Sequence, residues 1–205
     1  MITVIGLTGP SGAGKTTFCE IASGMGIQSI DADQIYHSLL VPPSLCLDEL
    51  RSEFGESVIA PNGTLDRPAL AAIVFDEKDE KKEKISLLNR ITHKYVLAKM
   101  RELIRAEETN GTEAIIVDAP ALYESGFDKE CDFVICLLAE SQRRLDRITH
   151  RDNITRERAD ARIQGQKSDE FYSGKADYTV INNESIESMK EEISRIFSER
   201  GLLRL

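Results

Sequence analysis

Residues 9–16, "GPSGAGKT", match the spacing G-x-x-x-x-G-K-[ST] and concentrate the residue types that handle a polyphosphate. Small side chains at Gly9, Gly12, Ala13 and Gly14 let successive backbone N–H groups turn inward around phosphate oxygens. A helix opening at the end of such a loop directs its positive dipole end at the same charge. Lys15 is long enough to reach the β- and γ-phosphates, and the Thr16 hydroxyl is a ligand for Mg²⁺. The chemistry is the gripping of a nucleoside triphosphate. A glycine-rich turn with an incidental lysine is the plainer alternative; the apolar strand before the loop and the helix after it argue against that. The N-K-x-D run that reads guanine is absent, as is a D-x-x-G switch beyond the loop, which weighs against a GTPase.

Transfer of a phosphoryl group needs more than a grip. Asp33 stands just after the second expected strand, in "DAD". Strand C-terminal ends line the ligand crevice of open α/β sheets, and a carboxylate there can accept the proton of an attacking hydroxyl. Asp31 is the other candidate, and either aspartate could instead cap the helix expected from Gln34. Asp118 closes a strongly apolar strand in the manner of a Walker B carboxylate, which binds Mg²⁺ directly or through water; the alternative is a strand-end turn before Pro120. Arg143, Arg144, Arg147, Arg151, Arg156, Arg158 and Arg162 form the main cationic concentration of the chain. Most are expected to make i,i+4 pairs with Asp146, Asp152 and Asp160. Arg147 and Arg151 are the two selected to stabilise charge on the transferring group from a closing helical hairpin. His93 lies on a long helix, where a lone histidine is more often structural.

These groups need a frame, and the patterning supplies one. Apolar runs at 2–7, 29–30, 114–118, 133–138 and 178–181 read as strands. Helical character falls at 16–24, 34–40, 45–54, 68–75, 80–108, 143–151, 156–166 and 186–197, with Pro42-Pro43, Gly55, Asn62-Gly63 and Asn110-Gly111 as breaks. The charged run 76–84 reads as a solvated helix start. Strands alternating with helices imply an α/β fold, with a mostly parallel sheet of about five strands and helices on both faces.

The chain has 205 residues, of which 41% are hydrophobic, enough for a buried core. A net charge of −9 disfavours nucleic acid and anionic membrane as partners, so an anionic substrate needs a local cationic pocket. Cys19, Cys46, Cys131 and Cys136 form no C-x-x-C pair and read as reduced thiols of a cytoplasmic protein. The first residues lack a basic leader, and no apolar run approaches the roughly 20 residues that span a bilayer.

Seven segments in order, "GLTGPSGAGKTT", "DADQIYH", "FGESVIAPNGTLDRPALAAIVF", "LNRITHKYV", "IIVDAPALYESGFDKECDFVI", "RITHRDNITRERADARIQGQ" and "ADYTVINN", resemble the dephospho-coenzyme A kinase family over nearly the whole chain. The resemblance implies a three-layer P-loop kinase fold in one domain: a core at about 1–35, 112–140 and 175–205, a helical substrate-binding insertion at about 36–111, and an arginine-rich lid at about 141–174. It implies transfer of the ATP γ-phosphate to the ribose 3′-hydroxyl of dephospho-coenzyme A, with Mg²⁺, by a monomer or weak homo-oligomer. By position, Gly12, Ala13, Gly14, Lys15, Thr16 and Thr17 hold the ATP phosphates, and Asn182 falls near the adenine-side loop. Asp33 is the base; Asp33, Arg67, His93 and Asp118 fall in the substrate region, Thr16 and Asp118 at the metal, and Arg147 and Arg151 in the lid. This sequence departs from the family's usual residue at Pro43 (Gly), Lys94 (Pro), Ala121 (Leu) and Arg144 (Gln). The departures bear on the substrate pocket and the lid, not on the phosphate chemistry. Two rivals remain: a small-molecule kinase for another acceptor, and a nucleotide-sensing module that needs no base.

Overall fold

Five short runs, most of them rich in Val, Ile and Leu, form the strands β1 (Thr3–Thr8), β2 (Gln28–Asp31), β3 (Ala114–Asp118), β4 (Phe133–Leu138) and β5 (Tyr178–Ile181). The helices, in chain order, are α1 (Lys15–Gly24), α2 (Ala32–Ser38), α3 (Leu45–Phe54), α4 (Arg67–Val74), α5 (Lys81–Thr109), α6 (Leu122–Ser125), α7 (Ser141–Asp152), α8 (Arg156–Gln164), α9 (Asp169–Ser173) and α10 (Ile186–Glu199). The computed structural model describes residues 1–75 and 81–203. It divides into two compact units, Met1–Asp31 with Ile104–Leu205, and Ala32–Leu103.

The first unit is built on the sheet, in the order β2-β3-β1-β4-β5. Every described pair is parallel, so the sheet is wholly rather than mostly parallel. The register sets Leu7 and Asp31 beside Asp118, which brings the C-terminal ends of β1, β2 and β3 together. Alternation with period 2 sends successive side chains to opposite faces. Ile5, Leu7, Ile116, Ile135 and Leu137 join Phe18 and Ala22 of α1 and Ile193, Ile196 and Phe197 of α10 in one core. Phe18 meets Phe197 edge-to-face, with centroids 6.4 Å apart. On the other face Cys136 and Leu138 pack against Phe171 and Tyr172 of α9.

The second unit is helical. Leu40, Leu47, Leu50, Val58, Leu70, Val74 and Ile91 form its buried core, with Ile85 and Leu88 of α5 half-buried against it. These α5 positions recur at the spacing of one helix face. Side chains cap two of its helices: Ser44 accepts from Leu47 N at 3.2 Å, and Asp66 accepts from Ala69 N at 2.9 Å.

Several boundaries differ from the sequence reading. Helix α2 starts at Ala32, two residues before the expected Gln34. Asp31 is the last residue of β2, and Asp33 is the second residue of the helix. Helices α6 and α9 have 4 and 5 residues, too few to show a period, and were not expected. The 3₁₀ turns Glu56–Val58 and Phe127–Glu130 escaped notice for the same reason. Of the charged run 76–84, residues 76–80 lie outside the described residues, while Lys82 and Glu83 are exposed on the first turn of α5. Among the described residues, no helix is long and apolar enough to cross a membrane.

Candidate active site

The phosphate loop joins β1 to α1, and its local conformation depends on glycine at two positions in particular. Gly14 has φ +105°, and a Cβ there would lie 2.2 Å from Asn182 Nδ2. Gly12 has φ +80°, with the Arg144 carbonyl oxygen 2.9 Å from where its Cβ would be. Both combine a backbone reserved for glycine with a close approach from behind. Side chains hold the loop's carbonyls from that side. Asn182 Nδ2 donates to Ala13 O at 2.7 Å. Arg147 Nη1 donates to Gly12 O and Ala13 O at 3.1 and 3.3 Å, and its Nη2 donates to Asn182 O at 3.2 Å.

A trans peptide sets its N–H opposite its C=O. Holding Ala13 O from behind therefore aims Gly14 N–H the other way. No acceptor among the described residues takes the N–H groups of Gly12, Gly14, Lys15, Thr16 or Thr17. Helix α1 also has no side-chain cap, whereas Ser, Thr or Asp side chains cap α3, α4, α8, α9 and α10. A fan of N–H groups at an uncapped helix start is an anion site in both dipole and geometry.

Lys15 Nζ donates to Gly9 O at 3.3 Å and stands 3.9 Å from Asp118 Oδ1. Both side chains are largely sheltered, 12% and 16% exposed, so their attraction is little screened. Thr16 is exposed. Beneath them, burial and the Asp118 charge push the Cys19 thiol up to about 12. Burial likewise pushes Cys131 and Cys136 up to about 12 and Cys46 up to about 11. All four are protonated at neutral pH and poor nucleophiles.

Helix α7 presents its arginines unequally. Arg144 and Ile148 share its buried face. Arg147 is half-buried, and burial pulls its guanidinium below its ordinary value, with Arg143 adding to this. Arg151 is exposed; it donates to Asp152 Oδ1 at 2.7 Å and to Ser11 Oγ at 3.4 Å. Asp152 lies between Arg151 and Arg162, which hold its carboxyl down at about 2. The expected i,i+4 pairs are not how these charges meet. Arg156 reaches Asp146 and Arg162 reaches Asp152 across ten residues, because the turn at Asn153 folds α8 back on α7. Arg144, counted in the sequence among the departures that do not bear on the phosphate chemistry, is instead bonded to the phosphate loop. Only 4% exposed, it bonds to Ser11 O, Gln166 and Asp169. Its i,i+4 spacing to Ile148 was the available signal.

The second unit holds Asp33, Arg67 and His93. Asp33 is exposed on the first turn of α2. Arg67, at the start of α4, makes a short hydrogen bond to Nδ1 of His37, a partner that the sequence reading did not name. Arg67 also lines a pocket of about 170 Å³ with Tyr36, Leu70, Ala71 and Phe75. Burial raises the Tyr36 hydroxyl above its ordinary value, with the Arg67 charge opposing. His93 is half-buried on α5. Its neighbour Lys94 turns to α3, where Glu49 accepts from Lys94 Nζ at 2.6 Å and from the Tyr95 hydroxyl at 2.5 Å.

A parallel sheet of this strand order, with a phosphate loop leaving β1 and a carboxylate ending β3, is the frame of the P-loop kinases. Shikimate kinase from Bacteroides thetaiotaomicron shares that frame, with a TM-score of 0.58 at 17% identity over 97% of this chain and 99% of the other. The chain belongs to the dephospho-CoA kinase family, whose model matches residues 3–188. The dephospho-CoA kinase of Fusobacterium nucleatum is 37% identical over 194 residues, covering 95% of this chain and 96% of that one. The structure of dephospho-CoA kinase from Campylobacter jejuni aligns with a TM-score of 0.69 at 30% identity over 98% of each chain.

Proposed function

We propose that the protein transfers the γ-phosphate of ATP to the ribose 3′-hydroxyl of dephospho-coenzyme A, giving coenzyme A and ADP. Membership of the dephospho-CoA kinase family supports the acceptor, and the loop supports the donor: its carbonyls are held from behind, and five N–H groups take no acceptor from the described residues. Gly9, Gly12, Ala13, Gly14, Lys15, Thr16 and Thr17 bind the ATP phosphates. Lys15 neutralises charge on them, and Asn182, expected near the adenine-side loop, braces the phosphate loop at Ala13. Asp33 orients the acceptor hydroxyl and takes its proton. Arg67 and His93 bind the acceptor, whose phosphates and ribose suit a guanidinium and an imidazole.

Mg²⁺ suits the donor set of the first unit. Among the described residues, no group of three or more His, Cys, Asp and Glu could hold a metal. Thr16 and Asp118 supply only a hydroxyl and a carboxylate, and Mg²⁺ in kinase sites takes few protein ligands beside phosphate and water. When bound, the ion neutralises charge on the β- and γ-phosphates. Arg151 supplies charge to the phosphoryl group from the lid, at about 141–174, while Arg147 acts through the loop carbonyls it holds. Closure of the lid excludes water, the competing acceptor.

Product analysis tests the assignment. Incubation with ATP and dephospho-coenzyme A is expected to give coenzyme A, with the new phosphate on the ribose 3′ oxygen by ³¹P–¹H correlation. Phosphate at another position, or an unaltered acceptor, contradicts it.

A further inference from the structure

Ser11 is tied on both sides of its α-carbon by one side-chain cluster. Its N–H donates to Gln166 Oε1 at 3.3 Å, and its carbonyl accepts from Arg144 Nε at 3.1 Å. Arg144 Nη2 donates to the same Gln166 oxygen at 2.8 Å, and Nη1 to Asp169 Oδ1 at 3.3 Å. Two successive peptide planes of the loop are thus pinned by a buried guanidinium and one amide. The second plane matters most. Because its C=O points at Arg144, its N–H, that of Gly12, points the opposite way, and no acceptor among the described residues takes it. The Arg144 backbone also approaches Gly12 so closely that a Cβ there would lie 2.9–3.0 Å from it.

We propose that Arg144 is a positioning residue for nucleotide binding: with Gln166 and Asp169 it fixes the Ser11–Gly12 peptide so that the outer arm of the loop presents its N–H to the phosphates. Arg147 and Asn182 brace the inner arm, at Gly12 and Ala13. The loop is therefore clamped from two sides, and the segment after α8 that carries Gln166 and Asp169 is mechanically joined to it. A guanidinium suits the task because its planar fork donates in three directions at once, to Ser11, Gln166 and Asp169. The inference rests on the phosphate-loop half of the proposed function and not on the acceptor.

The test is ADP affinity by titration calorimetry, beside thermal stability, for wild type, Arg144→Ala, Gln166→Ala, the double variant and Arg144→Gln. Arg144→Ala is expected to weaken ADP roughly tenfold, the scale of a lost charged hydrogen bond. Gln166→Ala is expected to weaken it by a smaller factor. In the double variant the loss of Gln166 should weaken ADP by clearly less than it does in the wild-type background, because both act through Ser11. Arg144→Gln keeps a donor for Ser11 O and loses the Asp169 contact, so its ADP affinity should stay within about threefold of wild type while its Tm falls. KM for dephospho-coenzyme A should move less than twofold in every variant. Arg144→Ala with wild-type ADP affinity and only a lower Tm overturns the proposal, as do fully additive losses in the double variant. If Arg144→Ala does not fold, unchanged ADP affinity in Gln166→Ala overturns it. Wild-type protein that binds no ADP removes the loop reading, and the inference with it.

Discussion

In the phosphate loop the recognising groups are main-chain N–H groups, and their direction is set by carbonyls held from behind by Arg144, Arg147 and Asn182. In the helical unit the candidate groups are side chains: Asp33 on α2, Arg67 bonded to His37 beside a pocket of about 170 Å³, and His93 on α5. A backbone grip needs small residues at fixed spacing, tolerates no Cβ at Gly12 or Gly14, and reads charge and shape rather than chemical identity. A side-chain pocket reads identity and can be built from many sequences. The difference explains why such a loop serves any nucleoside triphosphate, while the acceptor must be chosen elsewhere in the chain.

The largest effect is expected where the two halves of the reaction separate. Asp33→Asn should lower kcat by roughly 10²–10⁴, the range of a general base, and leave ADP affinity unaltered. Normal turnover in that variant removes the base assignment. Lys15→Ala should lower kcat about 10²–10³-fold and weaken ADP as well, because it belongs to the grip; steady-state kinetics beside calorimetry separate the two patterns. Arg67→Ala should raise KM for dephospho-coenzyme A roughly 10–100-fold with KM for ATP constant. If both KM values rise together, the division of labour between the two regions is wrong.

Smaller effects sharpen the picture of the brace. Asn182→Ala removes a buried 2.7 Å bond to Ala13 O, which retains Arg147 as a donor. A cost of about 1 kcal/mol and a Tm lower by roughly 2–4 °C are expected in a thermal melt. The smallest effect concerns Asp152. Its native carboxyl titrates near 2, below the ordinary carboxylate range, so its stabilisation is present at neutral pH and fades as pH falls from about 4 toward 2. Arg151 and Arg162 are 57% and 46% exposed, so Asp152→Asn should cost under about 1 kcal/mol at pH 7. Urea unfolding at pH 7 and pH 3 should show the difference shrinking at the lower pH.

What could be read from the sequence follows the same contrast. Strands β3, β4 and β5 match the apolar runs residue for residue; β3 and β4 are buried on both faces and carry continuous hydrophobicity, whereas β5 lies at the sheet edge with only Val180 buried. The loop was legible because its chemistry dictates its spacing. The roles of Arg144, Gln166 and Asp169 were not, since they depend on long-range contacts to Ser11 and on one another. Seven arginines at helical spacing look alike in sequence; packing alone separates buried Arg144 from exposed Arg151. The Arg67–His37 pair joins α4 to α2 across 30 residues and has no local signature. Lys94, a departure from the family's usual proline, turns to Glu49.

The most direct measurement is ADP release under saturating ATP with dephospho-coenzyme A, with shikimate, and with no acceptor. The account predicts ADP formation that requires dephospho-coenzyme A and matches coenzyme A formed one for one. ADP released as fast with shikimate, or with no acceptor at all, would contradict it.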